Sequence, residues 1–270
     1  MPELPEMENY RRHLSAWLNG RTITALAAER PKRLNHPVNT LHDVLVGGRI
    51  QSIARRGKSL AIHVDGVQPS YCELYIHLML GGRITLSYED QPGAITMGLD
   101  ETRWVQFHLG LGRMDAMSAA ELDQRWRKLG VEPLSDQYHP GLWREAYHSA
   151  RRPIKACLTD QHVVAGIGNV YSDEILYKAK LYPGTPAYQL TFQDWTRVGE
   201  IVPAVLAHAV ESGGVGDPIH SEDALSGGYR VFLQVHYRAG QPCGAHGVVT
   251  TSEIAGRTTY WCPEVQSSPL

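Results

Sequence analysis

The sequence predicts an α+β protein with a β-rich N-terminal part, a helical middle part and a C-terminal β-hairpin that resembles a zinc finger. Between residues 22 and 107, short apolar runs alternate with glycine-containing turns, which is typical of a β-sandwich or barrel. From residue 141 to 212, apolar residues recur at helical spacing instead. Cysteine and histidine positions follow near the C-terminus. We therefore expect three domains, at residues 1–133, 134–239 and 240–270.

The first element is a helix at the very N-terminus. Its apolar residues recur at helical spacing, and Asn19-Gly20 ends it. Helical periodicity returns at residues 118–129, and the polar stretch 133–141 is interpreted as a linker. Further helices are expected near residues 141–160, 170–180 and 191–212. After Gly227-Gly228, the pattern again favours strands.

Net charge does not indicate nucleic-acid binding, because 26 Lys and Arg residues face 28 Asp and Glu residues, for a net charge of −2. Domains that bind DNA through bulk charge are usually basic. Basic residues are nevertheless clustered in three places. The clusters are Arg30, Lys32 and Arg33; Arg55, Arg56 and Lys58; and Arg151, Arg152 and Lys155. Each is either a phosphate site or a solvated basic surface.

The four cysteines argue against a disulfide-built scaffold and favour a reducing compartment. The chain shows no secretory signal pattern and no apolar run long enough to span a membrane. We therefore expect a cytoplasmic protein.

The opening Met1-Pro2-Glu3-Leu4-Pro5-Glu6 is the most informative motif. Removal of Met1 would leave Pro2 with a free secondary amine. An ordinary α-amino group has a pKa of roughly 8, so it is partly neutral and can act as a nucleophile. Glu3 would then serve as a general acid, and Glu6, one turn further on, would order the terminus. The alternative is a helix-entry proline followed by two first-turn acids.

Two glycine-containing turns are candidate phosphate sites. The turn 55–58 precedes a predicted strand, and Lys58 can reach a phosphate there, although a basic β-turn is equally compatible with the pattern. The run 166–171 joins two predicted helices, and its backbone N–H groups, with the Asn169 side chain, can hold a phosphate. Its alternative is a joint in which glycine serves only helix packing. Arg257, at a hairpin tip, is well placed to bind a phosphate with its guanidinium.

The C-terminal region offers an incomplete zinc site. Cys243, His246 and Cys262 have the spacing of zinc ligands, but Val265 stands where the fourth ligand belongs. Structural zinc is almost always four-coordinate. Either His236 or Glu264 substitutes as the fourth ligand, or the hairpin is held by packing with two leftover thiols.

Six ordered motifs resemble those of the formamidopyrimidine-DNA glycosylase and endonuclease VIII family of bacterial base-excision repair. The resemblance covers nearly the whole chain and implies an N-terminal antiparallel β-sandwich, a helix-two-turn-helix module and a C-terminal ribbon. Its motifs are Pro2-Glu3-Leu4-Pro5-Glu6, Arg56-Gly57-Lys58, Ile76-His77-Leu78, Asp160-Gln161 with residues 164–171, Gln234-Val235, and Gly256-Arg257-Thr258-Thr259-Tyr260-Trp261-Cys262-Pro263.

The resemblance implies a bifunctional DNA glycosylase and AP lyase acting on damaged double-stranded DNA near the nucleoid. Pro2 is the implied nucleophile at C1′, with Glu3 as acid and Glu6 as support, and the Schiff base then undergoes β- and δ-elimination. Neither a metal, a redox cofactor nor a nucleotide is required, and one chain suffices, so a monomer is expected. The implied DNA-contacting residues are Lys58, His77, Arg113, Gly168, Asn169, Tyr171 and Arg257.

Two departures bear on the substrate. Leu80 stands where the purine-specific branch has a methionine, and residues 110–114 replace its Arg-Arg-Phe run. We expect oxidised purines as substrates, with three alternatives: an enzyme for oxidised pyrimidines, a paralogue acting mainly on abasic sites, or a non-catalytic lesion-sensing protein. A zinc-dependent hydrolase is a further, weaker reading. Residues 215–227, where relatives contact the flipped base, do not indicate which base is bound.

Overall fold

The computed structural model describes residues 1–29, 31–88, 95–100 and 102–268. Arg30 of the first basic cluster lies outside the described residues. The chain forms two compact units, one of residues 1–128 with 213–228 and one of residues 129–212 with 229–270. No helix within the described residues is long and apolar enough to cross a membrane. The three-domain division stays a prediction, and segment 213–228 packs with the first unit.

The first unit contains two four-stranded antiparallel sheets, which confirms the predicted β-sandwich. One sheet has the order β1-β6-β7-β5, with β1 at Ile23–Ala28, β5 at Arg83–Ser87, β6 at Ile95–Leu99 and β7 at Arg103–His108. The other has the order β2-β3-β4-β8, with β2 at Arg49–Arg56, β3 at Ser59–Asp65, β4 at Glu73–His77 and β8 at Arg113–Met117.

Both sheets contribute to a single apolar core, which also buries one side of the N-terminal helix. Helix α1 spans Leu4–Leu18, and Leu4, Met7, Leu14 and Leu18, predicted from their spacing, are fully buried. Burial of each such side chain contributes about 1.5–3 kcal/mol. This packing fixes the N-terminus against the sandwich. Two short helices complete the unit, α2 at Val38–Leu45 and α3 at Ala119–Trp126.

The second unit is helical and ends in two small hairpins. Its helices are α4 at Leu142–Tyr147, α5 at Ile154–Leu158, α6 at Asn169–Lys178 and α7 at Phe192–Glu211. The prediction of one helix near residues 141–160 is wrong, because Pro153 separates two short helices. Its extended backbone (φ −59°, ψ 145°) precedes α5, and proline also disfavours a helical conformation in the residue before it.

The C-terminal strands begin later than predicted. Residues 228–241 contain a short 3-10 helix at Gly228–Phe232 and no strand. The reason is that the backbone N–H groups of residues 234–236 donate to the buried Glu174 carboxylate instead of to a neighbouring strand. The observed strands are β9 at Pro242–Cys243, β10 at Gly247–Val248, β11 at Thr250–Ile254 and β12 at Arg257–Trp261.

Candidate active site

Two buried carboxylates, those of Glu3 and Glu6, follow Pro2 closely in the sequence. Glu3 is 1% exposed and precedes α1, and its backbone N–H donates to Glu6 Oε2 at 2.8 Å. Glu6 is 5% exposed, and its Oε1 accepts a hydrogen bond from the Val215 N–H at 2.9 Å. One carboxylate therefore binds both the start of the chain and segment 213–228. Its position at a helix N-terminus also favours its negative charge.

Segment 213–228 has an internal organisation that sequence reasoning missed. Gly214 has a φ of +66°, and a Cβ there would overlap the Glu6 carboxylate oxygen. Asp223 accepts hydrogen bonds from the Ile219 N–H at 2.8 Å and from Ser226 Oγ at 2.5 Å. Burial raises the pKa of Asp223, but these hydrogen bonds outweigh it and lower that pKa to about 2. A carboxylate among glycines gives no sequence signal for such a role.

Lys58, His77 and Arg113 lie at the same end of the neighbouring strands β3, β4 and β8. Lys58 is 8% exposed in the turn before Ser59, which pairs with His77, and His77 pairs in turn with Arg113. Burial, and then the charge of Lys58, lower the pKa of His77. Its buried Nδ1 has no hydrogen-bond partner among the described residues. Such an atom marks a place where a ligand can bind.

Arg113 is bound within the protein. Its guanidinium contacts the Asp115 carboxylate, with Nε 2.7 Å from Oδ2, although 56% of the Arg113 side chain is exposed. Asp115 is 1% exposed and also accepts from Arg125 at 2.6 Å. The prediction that Arg113 contacts DNA stays a prediction, and this ion pair weakens it because the charge is already partly compensated.

In the second unit, a side-chain amide organises the turn before α6. Gln161 accepts from the Gly166 N–H at 2.9 Å and donates to the Ile167 carbonyl at 2.9 Å. Gly166 has a φ of +101°, which favours glycine. Gly168 then caps α6, whose N-terminus carries the positive end of the helix dipole. The predicted glycine turn therefore has the geometry of an anion site.

The same helix N-terminus contacts the hairpin that carries Arg257. Asn169 Nδ2 donates to the Thr258 carbonyl at 3.0 Å, and its buried Oδ1 has no hydrogen-bond partner among the described residues. Ala255 and Gly256 form the hairpin tip with φ values of 51° and 71°. Arg257 follows them and is exposed. The structure thus brings together Gly168, Asn169 and the backbone that carries Arg257.

A buried charge network fixes this hairpin on α6. Lys155 is 1% exposed, and its Nζ lies 2.6 Å from Asp173 Oδ1 and 2.8 Å from Thr259 Oγ1. His236 Nδ1 lies 2.7 Å from the other Asp173 oxygen. The interpretation of Lys155 as part of a surface phosphate cluster is therefore wrong. Its charge compensates Asp173 in the interior.

Comparison with known proteins places both units in one family. The model described as the formamidopyrimidine-DNA glycosylase N-terminal domain matches residues 1–127, and the one described as the formamidopyrimidine-DNA glycosylase H2TH domain matches residues 129–220. The chain belongs to the formamidopyrimidine-DNA glycosylase family. The members of this family are enzymes.

Individual relatives match over nearly their whole length. The formamidopyrimidine-DNA glycosylase of Thermus thermophilus is 36% identical, with 98% of each chain covered. That of Chloroflexus aurantiacus is 33% identical, again with 98% of each chain covered.

Solved structures of the family share the fold. A variant of the Lactococcus lactis enzyme in complex with a Fapy-dG containing DNA has a TM-score of 0.90 at 28% identity, covering 98% of this chain and 100% of that one. The Lactococcus lactis enzyme in complex with an abasic site containing DNA has a TM-score of 0.88 at 28% identity, covering 98% and 99%.

Tyr171, one of the predicted DNA contacts, lies in the interior of this structure. Tyr171 is 0% exposed, and its ring packs against that of Tyr229 at 5.8 Å. A side chain without exposed surface does not offer a contact to DNA. The prediction that Tyr171 contacts DNA stays a prediction, and this burial weakens it because the ring packs inside the second unit.

The C-terminal cysteines also differ from the predicted zinc site. Cys243 and Cys262 are joined in a disulfide, so neither offers a thiolate. The Glu264 carboxylate accepts hydrogen bonds from the N–H groups of Ala245 at 3.1 Å and His246 at 2.8 Å, and also from that of Gly247. The prediction of Cys243, His246 and Cys262 as ligands, and of two free thiols as its alternative, is corrected. These residues do not fit a tetrahedral zinc ion.

Two exposed leucines form a paired apolar tip in the first unit. Leu80 is 63% exposed and Leu111 is 58% exposed. The Leu111 N–H donates to the Leu80 carbonyl at 3.1 Å, so the two turns hold each other. These residues occupy the stretches where the sequence departs from the purine-specific branch.

Proposed function

We propose that the protein is a bifunctional DNA glycosylase and AP lyase that uses the Pro2 amine, freed by removal of Met1, as its nucleophile. The observation that carries the proposal is the burial of Glu3 and Glu6 directly behind Pro2. Burying charged carboxylates is costly unless they are hydrogen-bonded, and here the capping box at the start of α1 and the Val215 N–H supply these hydrogen bonds. An amine nucleophile with an adjacent acid gives them a chemical purpose.

The chemistry begins with attack of the Pro2 nitrogen on C1′ of the damaged nucleotide, which breaks the bond from C1′ to the base. Glu3 protonates the sugar ring oxygen as the ring opens, and loss of the amine proton leaves an iminium ion. The iminium acidifies the C2′ proton, so β-elimination breaks the C3′–O bond. A δ-elimination then breaks the C5′–O bond, and water releases Pro2.

Phosphate contacts hold the DNA while the damaged nucleotide is extruded. In the first unit these come from Lys58 and from His77, whose buried Nδ1 has no hydrogen-bond partner among the residues that the structure describes. In the second unit they come from the N-terminus of α6, from Asn169 and from Arg257. Chemistry on a base requires it to leave the stack, so such contacts must fix the backbone on both sides of the lesion. This activity would place the protein at the chromosome, in the cytoplasm and at the nucleoid.

The leucine pair suggests how the resulting gap in the duplex is filled. Architectural proteins insert apolar side chains between base steps, and Leu80 with Leu111 offers such a wedge. Leucine cannot hydrogen-bond to the base opposite the lesion. We therefore infer excision of oxidised purines, as the Fapy-dG complexes of the relatives suggest, with little discrimination by the opposite base.

Base release from a panel of duplexes tests this proposal. The panel carries 8-oxoguanine, a formamidopyrimidine, an oxidised pyrimidine or a plain abasic site, with the first two opposite each of the four bases. Faster release of the two oxidised purines, nearly independent of the opposite base, is the expected result. Preferential release of the oxidised pyrimidine would indicate an enzyme for oxidised pyrimidines instead. Cleavage of the abasic duplex alone would indicate a paralogue that acts mainly on abasic sites.

No cofactor is needed for these steps, because the amine supplies the covalent chemistry. For the C-terminal hairpin, we propose that the disulfide and the Glu264 carboxylate take over the structural task that zinc serves in other ribbons. The hairpin would then depend on an oxidised cysteine pair instead of metal, which is uncommon in the reducing compartment expected from the sequence.

A further inference from the structure

Three metal-ligating side chains meet at the end of the β3–β4 hairpin that is remote from Lys58. His63, Cys72 and Glu73 each offer one ligand atom, and these atoms all lie within 4.8 Å of one another. His63 pairs with Glu73 across the two strands, and His63 Nδ1 lies 2.8 Å from Glu73 Oε1. Cys72 directly precedes β4 and has helical backbone dihedrals, and its sulfur is one of the three clustered ligand atoms. The function proposed above uses none of these residues.

The other nitrogen of His63 supplies an independent observation. Its Nε2 lies 3.4 Å from Asp65 Oδ1. Histidines that bind metals almost always donate their second ring N–H to a carboxylate, a carbonyl or water, which fixes the ring and the tautomer. With Asp65 on Nε2, His63 presents Nδ1 toward Glu73 and Cys72. A cross-strand ion pair alone does not require this second carboxylate or the thiol.

The remaining contacts leave room for a cation. The Cys72 thiol donates to the Pro69 carbonyl at 3.2 Å and is only half-buried. The His63 side chain is 36% exposed, so the cluster is open to solvent on one side. Zinc bonds of about 2.0–2.3 Å require ligand atoms about 3.5 Å apart. The 2.8 Å between His63 Nδ1 and Glu73 Oε1 must therefore widen, while any pair near the 4.8 Å limit of the cluster must contract.

We propose that His63 Nδ1, the Cys72 thiolate and a Glu73 carboxylate oxygen bind one Zn²⁺ ion, with water as the fourth ligand. Binding replaces the hydrogen bond between His63 and Glu73, and both the proton of that hydrogen bond and the Cys72 thiol proton are released to solvent. A mixed nitrogen, sulfur and oxygen set favours zinc over magnesium or calcium, which prefer oxygen alone.

The location indicates a structural role. His63 follows Ser59, beside Lys58, by four positions along β3, which corresponds to about 13 Å along a strand. Zinc should therefore stabilise the sandwich without changing base release. Because ligands that bind only the folded state raise its stability, the midpoint of thermal unfolding should rise with zinc concentration.

Thiol alkylation tests the proposal directly. Cys157 is buried and Cys243 is bonded to Cys262, so Cys72 is the half-buried free thiol of the chain. The untagged full-length protein, without reductant, is treated with iodoacetamide with and without one equivalent of Zn²⁺, and Cys72 is followed by peptide mass spectrometry. Zinc should slow its alkylation about tenfold, since a bound thiolate is no longer a free nucleophile.

Matched variants separate this site from adventitious binding. His63→Gln should abolish the protection, whereas His246→Gln, in the C-terminal hairpin, should leave it intact. Zinc should also raise the unfolding midpoint of the unmodified protein but not of Cys72→Ser. Unchanged alkylation with zinc, or protection that persists in His63→Gln, would overturn the proposal.

Discussion

Glu6 shows how one side chain can connect two distant parts of the chain. The sequence indicated that it orders the terminus, because it follows Glu3 by one helical turn. It gave no indication of the second partner, the Val215 N–H, which lies 209 residues away. A contact between residues so far apart leaves no local pattern.

Glu6→Gln tests this connection. The amide keeps the size but directs an NH₂ group toward one of the two N–H donors, and a hydrogen bond to a charged group contributes about 1.5–3 kcal/mol. We expect base release to slow about 10- to 100-fold. Single-turnover kinetics measures this loss.

Glu8→Gln is the matched control on the same helix. Burial raises the pKa of Glu8, but the guanidinium groups of Arg11, Arg55 and Arg12 outweigh it and lower that pKa to about 2. Its loss should affect stability and not base release. Equal effects of the two substitutions on base release would contradict the role given to Glu6.

His77 predicts a pH dependence of stability. Its folded pKa lies below the unfolded value of about 6.5, so the unfolded chain binds more protons in the window below that value. The stabilising contribution is complete above about pH 6.5 and is lost as the pH falls through the folded pKa. Urea unfolding between pH 5 and 7.5 measures it.

His77→Gln should reduce this slope. His13 and His108 also have pKa values lowered by burial, so part of the slope remains. His42→Gln, at an exposed position, serves as the control. A slope that His77→Gln leaves unchanged would show that His77 is not buried as a neutral group.

At the scale of elements, the sequence predicts α1, α6 and α7 to within about two residues at each end, but not the break between α4 and α5. The apolar spacing predicts α1 correctly because one side of this helix packs on the sandwich and its apolar residues are buried there. The break at Pro153 was visible in the sequence, yet the helical periodicity on both sides obscured it. Lys155 was misplaced because its compensating partners, Asp173 and Thr259, come from elements that no local pattern connects to it.

Segment 213–228 is expected to depend on Asp223. Since the pKa of this group is about 2, its carboxylate is charged at every working pH and holds the segment through hydrogen bonds. Asp223→Asn should open the segment, increase its cleavage by protease and slow base release more than cleavage at a preformed abasic site. Glu222→Gln, an exposed acid of the same segment, should do neither. If Asp223→Asn slowed base release and abasic-site cleavage equally, segment 213–228 would not act specifically on the damaged base.

The C-terminal hairpin should respond to reduction and not to chelation. Its disulfide closes a loop with a sequence separation of 19, and a bond of this span contributes about 3 kcal/mol. We expect dithiothreitol, or Cys243→Ser, to weaken DNA binding because the hairpin carries Arg257, while a chelator leaves the affinity unchanged. Titration of labelled duplex by fluorescence anisotropy measures both. Weakening by the chelator alone would mean that metal holds the hairpin.

For the whole molecule, DNA binding must depend on individual basic side chains at specific positions, since the net charge of the chain is −2. Arg257→Ala should weaken binding almost equally for damaged and undamaged duplexes and reduce the salt slope by about 1. Arg127→Ala is the control, because its side chain is 78% exposed and paired with Asp123. An unchanged salt slope in Arg257→Ala would exclude a phosphate contact.

The central claim is the covalent role of Pro2, and borohydride trapping tests it most directly. Protein whose Met1 is shown by mass spectrometry to be removed is mixed with an abasic-site duplex and borohydride, and the adduct is mapped by peptide sequencing. We expect one adduct, on the Pro2 nitrogen. Pro2→Gly should lose this adduct and should cleave the strand more slowly than the unmodified protein. An adduct on a lysine, or cleavage at the unmodified rate by Pro2→Gly, would contradict the covalent role of Pro2.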